Sequence, residues 1–227
     1  MFFYDWTFII IIPGILIALY AQIKVKSAFN EGNKIQARSG VSANEVARSM
    51  IQHQIGTRLP INRSKGMLSD HYNPINKTLS LSDGVYGRTT ISAIAVAAHE
   101  AGHAIQDAEG YFPLRFRSAI VPIVQFSSSV SPIIILAGFA LYSNPLINIG
   151  IIAYALTLLF TLVTLPVEFD ASKRAKLALV ENNYLTQNEM KYVNNVLDAD
   201  ALTYVAAALT SLLHLIRLLI LRPQRDD

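Results

Sequence analysis

Long apolar segments alternate with polar ones along this chain of 227 residues. Residues 6–23 and 118–167 contain no charged side chain. The first segment is long enough for one helix across a bilayer, at about 1.5 Å per residue. The second is about twice the length that one helix needs, and Ser143-Asn144-Pro145 in its middle is typical of a turn. The pattern predicts one membrane-spanning helix and, later, a tight hairpin of two.

A third apolar segment, residues 201–221, contains one histidine and one arginine that need weighing, His214 and Arg217. Each aliphatic residue favours insertion by about 0.5 kcal/mol, whereas a central Arg disfavours it by about 3 kcal/mol. Because Arg217 lies near the end of the segment, its side chain can reach the interface. The balance predicts a fourth span, and the alternative is an amphipathic helix lying on the membrane surface.

Composition agrees with a membrane protein, because 52% of the residues are hydrophobic and only 15% are charged. The chain has no cysteine, which excludes disulfides and Cys-ligated metal sites. The net charge is +3, but the basic residues form no dense run with interleaved aromatic residues. Nucleic acid is therefore not an expected partner.

The Lys and Arg residues predict the orientation in the membrane. All of them except Arg217, Arg222 and Arg225 fall in residues 24–117 or 173–191. Because basic loops stay on the cytoplasmic side, both polar segments are expected there, with the two termini outside. A cleaved signal peptide is the alternative for the first span, but residues 1–5 contain no basic side chain.

Local signals predict the elements of the polar segments. A helix opens at the capping box Ser42-Ala43-Asn44-Glu45 and ends at Gly56. Residues 67–72 and 78–81 flank the turn-like Asn73-Pro74-Ile75-Asn76, which predicts a short β-hairpin. Thr89 or Thr90 caps a long helix that runs to Glu109 and is closed by Gly110.

A second capping box, Thr186-Gln187-Asn188-Glu189, opens a helix towards Leu197. Asp198 or Asp200 is then expected to cap the last apolar segment as a separate helix.

The strongest chemical signal is His99-Glu100-Ala101-Gly102-His103, an HExxH motif in the long helix. Positions i and i+4 place both imidazoles on one helix face, where they can share a tetrahedral Zn²⁺. Glu100 beside them can reach a water molecule at the metal. The alternative is a pair of histidines that only pack within an Ala-rich helix.

A zinc site of this kind needs a third protein ligand. Metzincins place Gly and His at fixed offsets, where Gln106 and Glu109 stand here, so that subtype is excluded. Glu168 is favoured because it is the first charged residue after the predicted hairpin and lies on the same side as the motif. The alternatives that stay open are Glu109, His53, His71 and His214.

Four segments, residues 70–74, 97–106, 165–169 and 202–207, resemble the bacterial YugP-like neutral zinc metallopeptidase family along almost the whole chain. More distantly, the chain is similar to gluzincin membrane proteases such as HtpX and the CAAX prenyl endopeptidases. The resemblance implies zinc at His99, His103 and Glu168, with Glu100 as the general base. In those relatives an Asp follows the ligand Glu by four residues, but Ser172 stands here, so another group must orient the imidazoles.

The expected function is that of a membrane-embedded zinc metallopeptidase, an endopeptidase in which Glu100 moves a proton from water to the leaving amine. Tyr204, Tyr72 or His71 is expected to donate a hydrogen bond to the developing oxyanion. The strand at 78–82 is expected to bind an extended substrate by edge pairing. The alternatives are a proteolytically silent, zinc-containing scaffold or chaperone and a metal sensor or transporter, which the uncharged spans disfavour.

The expected fold is a mainly α integral membrane protein with three or four transmembrane helices. A small α+β, zincin-like cytoplasmic catalytic part would contain one short β-hairpin. Its expected partners are the lipid bilayer and a peptide or membrane-protein substrate, while a homo-oligomer or a regulatory membrane partner is left open. The expected divisions are a first span at 1–23, the cytoplasmic part with the HExxH helix at 24–117, the membrane hairpin at 118–167, cytoplasmic helices with the third ligand at 168–200, and the last span and tail at 201–227.

Overall fold

The computed structural model describes residues 6–66 and 69–222. The predicted start of the hairpin at Met67, the first five residues and the tail with Arg225 lie outside the described residues. The elements, in chain order, are α1 (Phe8–Gly32), α2 (Ala43–Ile55), β1 (Ile61–Ser64), β2 (His71–Asn73), β3 (Thr78–Ser82), α3 (Ile91–Ala108), α4 (Phe112–Ala140), α5 (Asn144–Glu181) and α6 (Gln187–Leu221). The predicted mainly helical membrane protein with a small strand-containing part is confirmed.

The helices α1, α4, α5 and α6 are each long and apolar enough to cross a membrane. Large apolar side chains point outward along them, for example Ile9, Phe126 and Ile152, which are 67%, 72% and 67% exposed. Such extended apolar surface is unfavourable in water and suits lipid. The four helices therefore form the membrane part of the protein.

The one basic side chain within the apolar segment 201–221, Arg217, lies against the start of α1. Its guanidinium carbon is 3.9 Å from the centroid of the Phe8 ring, and its Nε donates a hydrogen bond to Thr7 Oγ1 at 3.1 Å. The charge is thus held between α1 and α6 instead of facing lipid, which lowers the cost of this Arg near a membrane.

Small residues allow the membrane helices to pack closely. A Cβ added to Gly14 of α1 would lie 3.0 Å from Thr210 Oγ1 of α6, and one added to Gly138 of α4 would lie 2.8 Å from the Ile147 nitrogen of α5. Close backbone approach at glycine is a common basis of helix association in membranes.

The helices α2 and α3 and the strands lie between α1 and α4 in the chain, so they occupy the end of the membrane part where α1 finishes and α4 begins. The helix α2 follows the predicted capping box at Ser42 and ends at Gly56, whose φ of 74° favours glycine. The helix α3 follows Thr90, and the chain turns at Gly110, whose φ is 72°. These boundaries agree with the local sequence signals.

The three strands form one sheet in the order β1-β3-β2. The predicted hairpin corresponds to β2 and β3, which pair antiparallel with His71 opposite Ser80. An additional strand, β1, pairs parallel to β3 with Ile61 opposite Leu79. Because β3 is paired on both sides, the prediction that residues 78–82 bind substrate by edge pairing is wrong. The strand β1 has the sequence Ile-Asn-Arg-Ser, in which apolar and polar residues do not alternate clearly enough to predict a strand.

Both α5 and α6 continue without a break through the predicted boundaries. The helix α5 passes through Pro166 and contains Glu168. The helix α6 contains Asp198 and Asp200 in its interior, so the prediction that either caps a separate last helix is wrong. No Gly or Pro lies near these aspartates to stop the helix, and an interior Asp costs less than about 1 kcal/mol relative to Ala.

The helix α3 crosses α5 at Gly102, between the two motif histidines. A Cβ added to Gly102 would lie 2.7 Å from the carbonyl oxygen of Ala171, a contact that only a backbone shift could relieve. The absence of a side chain therefore lets the two backbones meet here. This contact brings Glu168, one turn before Ala171 on α5, opposite the histidines.

Candidate metal centre

Three buried donor side chains meet where α3 crosses α5. The Glu168 Oε2 atom lies 3.2 Å from His99 Nε2 and 3.3 Å from His103 Nε2, and one donor atom from each of the three residues lies within 4.8 Å of the others. Ligands placed about 2.0–2.1 Å from a tetrahedral zinc ion are separated by about 3.3 Å. The two separations from the Glu168 oxygen match this value, so His99, His103 and Glu168 could together hold a single ion.

Each imidazole is oriented by a second hydrogen bond at its other nitrogen. The His99 Nδ1 lies 3.1 Å from Ser172 Oγ, and the His103 Nδ1 lies 3.0 Å from Gln106 Oε1. A proton on each Nδ1 would leave both Nε2 atoms free to bind a metal ion. Ser172, where the sequence resemblance led us to expect an Asp, thus supports one histidine, and Gln106 supports the other.

The amide of Gln106 is fixed by its own partners. Its Nε2 donates hydrogen bonds to the Val167 carbonyl oxygen and to Asp170 Oδ2, both at 2.8 Å. With both amide protons used, the amide oxygen must point to His103. Gln106 is fully buried and therefore ties the metal-site histidine to the chain segment that carries Glu168.

The third donor is held by Arg117 at the start of α4. Arg117 Nη1 donates a hydrogen bond to Glu168 Oε1 at 2.9 Å, so the other oxygen, Oε2, faces the histidines. Glu168 is only 2% exposed, and burying a carboxylate without such a partner would be costly. Sequence reasoning missed Arg117, although it is the last charged residue before the apolar segment at 118–167.

The electrostatic field at the centre favours a cation. Burial by itself would lower the pKa of His99, but the hydrogen bond with Glu168 and the charges of Glu100, Glu168 and Asp200 raise it to about 9. The same negative groups that stabilise an imidazolium would stabilise a metal ion bound at the Nε2 atoms.

Glu100 lies beside the three donors but is not one of them. Its side chain is nearly buried and makes no hydrogen bond or ion pair with the residues that the structure describes. It lines two cavities, one of about 380 Å³ against the β2 turn and α4, and one of about 450 Å³ against α1 and α6. Its carboxylate is thus free to bind a water molecule or substrate at the junction of the two.

The three candidates for the oxyanion donor differ in their surroundings. The Tyr72 hydroxyl already donates to Asp107 Oδ2 at 2.7 Å, and burial together with this bond raises the pKa of Tyr72 above its ordinary value. His71 is exposed, with its Nδ1 2.9 Å from the Ser69 carbonyl oxygen. Tyr204 lines both cavities, and its hydroxyl has no hydrogen-bond partner within the described ranges.

None of the alternative third ligands belongs to this group of donor atoms, although His71 lines the first cavity. Glu109 is paired with Arg174 Nη1 at 2.7 Å, and its carboxylate is half exposed. His53 is exposed on α2, His71 lies in β2, and the ring of His214 is 6.2 Å from that of Tyr154. In residues 6–66 and 69–222, the group that could hold a metal ion is His99, His103 and Glu168.

A helical membrane part carrying a buried His₂Glu centre, with an unpaired glutamate beside it, is the arrangement of a membrane metallohydrolase. The comparisons with known proteins agree with this class. Residues 7–222 match the family described as "putative neutral zinc metallopeptidase", and the chain belongs to that family.

Among curated proteins, the chain is 45% identical over 206 residues to the "Putative membrane protease YugP" of Bacillus subtilis (strain 168). The alignment covers 91% of this chain and 92% of the relative. No solved structure matches the chain. The resemblance inferred from the four sequence segments is therefore confirmed.

The groups that orient the imidazoles lead to a prediction about metal affinity. Ser172→Ala and Gln106→Ala are each expected to weaken zinc binding about 10- to 100-fold, because each removes the hydrogen bond at one Nδ1. Zinc affinity would be measured by competition with a chromogenic chelator.

The matched control for the serine is Ser118→Ala. Ser118 lines the first cavity, but its hydroxyl donates to the Leu114 carbonyl oxygen of its own helix at 2.9 Å. Affinity that is equal in Ser172→Ala, Ser118→Ala and the unchanged protein would contradict the orienting role of Ser172.

Proposed function

We propose that this chain is a zinc-dependent endopeptidase of the membrane, of the gluzincin type, that hydrolyses peptide bonds of membrane-associated or unfolded proteins. The observation that carries the proposal is the position of Glu168 Oε2, 3.2 Å and 3.3 Å from the Nε2 atoms of His99 and His103. All three donors come from one chain, so a second copy is not needed to complete the site.

Zinc bound there would supply a Lewis acid, which polarises the scissile carbonyl and makes a nearby water more acidic. Glu100 accepts the proton of the attacking water at its carboxylate and then delivers it to the leaving nitrogen. Tyr204 donates its hydroxyl to the oxygen on which negative charge develops. Proton transfer is thus assigned to Glu100 and stabilisation of the oxyanion to Tyr204, two residues that line the same cavities and are not metal ligands.

The orientation that we propose places the centre at the cytoplasmic surface. The polar part between α1 and α4 and the connection from α5 to α6 hold most of the Lys and Arg residues. Within α5, Glu168 directly follows the uncharged segment 118–167, while α3 lies outside the four membrane helices. Substrates are therefore expected to be cut in juxtamembrane or unfolded segments, not in the middle of a span.

The test uses the full chain purified in detergent and incubated with labelled casein and with a panel of single-span membrane proteins. Hydrolysis is expected to stop with 1,10-phenanthroline and to return with added zinc. Mass spectrometry of the products is expected to place the cuts in unfolded or juxtamembrane segments. Cleavage that persists without metal, or cuts mainly at mid-span positions, would contradict the proposal.

Tyr204→Phe tests the role of the hydroxyl. The variant is expected to lower kcat by about 10²-fold or more, because one oxyanion donor typically contributes this much, with zinc content unchanged. Tyr72→Phe serves as the matched control, since the Tyr72 hydroxyl is already bound to Asp107. An equal kcat for Tyr204→Phe and the unchanged protein would remove Tyr204 from the mechanism.

A further inference from the structure

The second cavity, of about 450 Å³, has an apolar wall and a set of acidic residues, Asp70, Glu100 and Asp200. Its lining includes Glu100, so it opens directly onto the proposed reaction centre. The apolar side chains come from α1, α3 and α6, namely Val25, Phe29, Val96, Val196 and Leu197. A volume of this size can hold one long side chain together with part of a peptide backbone.

Apart from Glu100, which we assign to the reaction itself, Asp200 of α6 is the acidic residue of this cavity that has no fixed partner. Within the described part of the chain, its carboxylate makes no ion pair or hydrogen bond, although it is close enough to interact electrostatically with His99 and Glu100. Asp70 lines the same cavity, but Ser82 satisfies both of its oxygens, through the backbone nitrogen at 2.7 Å and the hydroxyl at 2.8 Å. Lys26 lies on the exposed rim and forms no ion pair with Asp200.

An uncompensated carboxylate behind an apolar wall selects a particular ligand. A long apolar stem gains free energy by covering the wall, and a cation at its tip regains the partner that Asp200 lacks. A neutral apolar side chain of the same length would also cover the apolar wall, but it would leave the Asp200 carboxylate unpaired. The cavity therefore discriminates by the charge at the end of the side chain.

We propose that the second cavity is the subsite for a lysine or arginine side chain of the substrate, with its stem against Phe29 and Val196 and its cation on Asp200. This inference rests on the proposed function, because it takes the peptide to be cut beside Glu100. It makes the protein an endopeptidase with a preference for a basic residue close to the scissile bond.

The test measures binding of zinc-chelating peptide hydroxamates to the full chain in detergent, after its zinc content has been determined. Two pairs are used, with the variable side chain on the N-terminal or on the C-terminal side of the cleavage position. Within each pair, one peptide has lysine and the other has norleucine, which lacks only the ammonium group. On one of the two sides, lysine is expected to bind at least about tenfold more tightly, as a charge-assisted hydrogen bond predicts.

Two variants connect that preference to Asp200. In Asp200→Asn the lysine preference is expected to fall to near one, with zinc content unchanged. Asn30→Lys adds a cation at an exposed position of the cavity lining and is expected to reduce the preference without disturbing the core. The control Asp198→Asn changes an exposed aspartate of the same helix, which pairs with Lys176 at 2.6 Å, and is expected to keep the full preference.

The outcomes separate the two proposals. A protein that binds no zinc would overturn the proposed function. A zinc-loaded protein that shows no lysine preference on either side, that binds none of the hydroxamates, or that keeps the preference in Asp200→Asn would overturn the basic subsite alone. The preference in the unchanged protein together with its loss in Asn30→Lys supports the subsite even if Asp200→Asn does not fold.

Discussion

Glu100→Gln is expected to lower kcat by about 10³-fold while the zinc content stays the same, because an amide of equal size cannot accept the proton of the attacking water. The change should not disturb the fold, since the Glu100 carboxylate forms no hydrogen bond with the described residues and is not one of the three donors. The turnover of a fluorogenic peptide, elemental analysis and thermal unfolding would be measured on the same preparation.

The control for this substitution is Glu181→Gln, the same change at an exposed position near the end of α5. It is expected to leave all three measurements unchanged. Full turnover in Glu100→Gln would remove Glu100 from the mechanism. If Glu100→Gln abolished hydrolysis but supported a normal cellular phenotype, the biological role would be that of a zinc-containing scaffold or chaperone.

The parts of this structure that could be predicted from the sequence are those determined by residues close together in the chain. A capping box at Ser42 and a glycine at position 56 contain the information that begins and ends α2 within a few residues. The same is true of the i, i+4 spacing that puts His99 and His103 on one face of α3. Long uncharged segments predict membrane helices, because the thickness of the bilayer sets the length that such a helix needs.

The groups that complete the metal centre depend on packing between distant segments. Arg117 reaches Glu168 across 51 positions of the chain, and nothing in its own neighbourhood indicates this partner. The orienting roles of Ser172 and Gln106 could more easily have been predicted from the sequence. Each lies within one turn of a metal-site residue on the same helix, and each has a side chain that can accept the Nδ1 proton of a histidine.

The errors have a common cause, which is that tertiary structure overrides weak local signals. Asp198 and Asp200 have the side chains of good helix caps, but α6 continues through them because it packs against α1 and α5 over its length. The strand β1 forms because β3 offers it a free edge, not because of its own pattern. The same packing then turns Asp200 from a predicted cap into a charged group of the second cavity.

Glu168→Ala is expected to remove nearly all zinc from a protein that otherwise carries about one ion per protomer, because two histidines alone do not complete a structural or catalytic zinc site. The matched control is Glu109→Ala, at a carboxylate that is outside the donor group and is paired with Arg174. This control is expected to keep its zinc. Elemental analysis of the three detergent-purified proteins, after dialysis against metal-free buffer, measures the difference.

The comparison also distinguishes a ligand from a residue that only supports the fold. Without Glu168, Arg117 loses its buried acceptor, but its side chain is 28% exposed and can turn to solvent, so the folded protein should persist. Thermal unfolding of zinc-free samples is then expected to differ little between Glu168→Ala and the unchanged chain. Full zinc retention in Glu168→Ala would contradict the His₂Glu centre. Zinc loss in Glu109→Ala would instead indicate that Glu109, at the end of the HExxH helix, is the third zinc ligand.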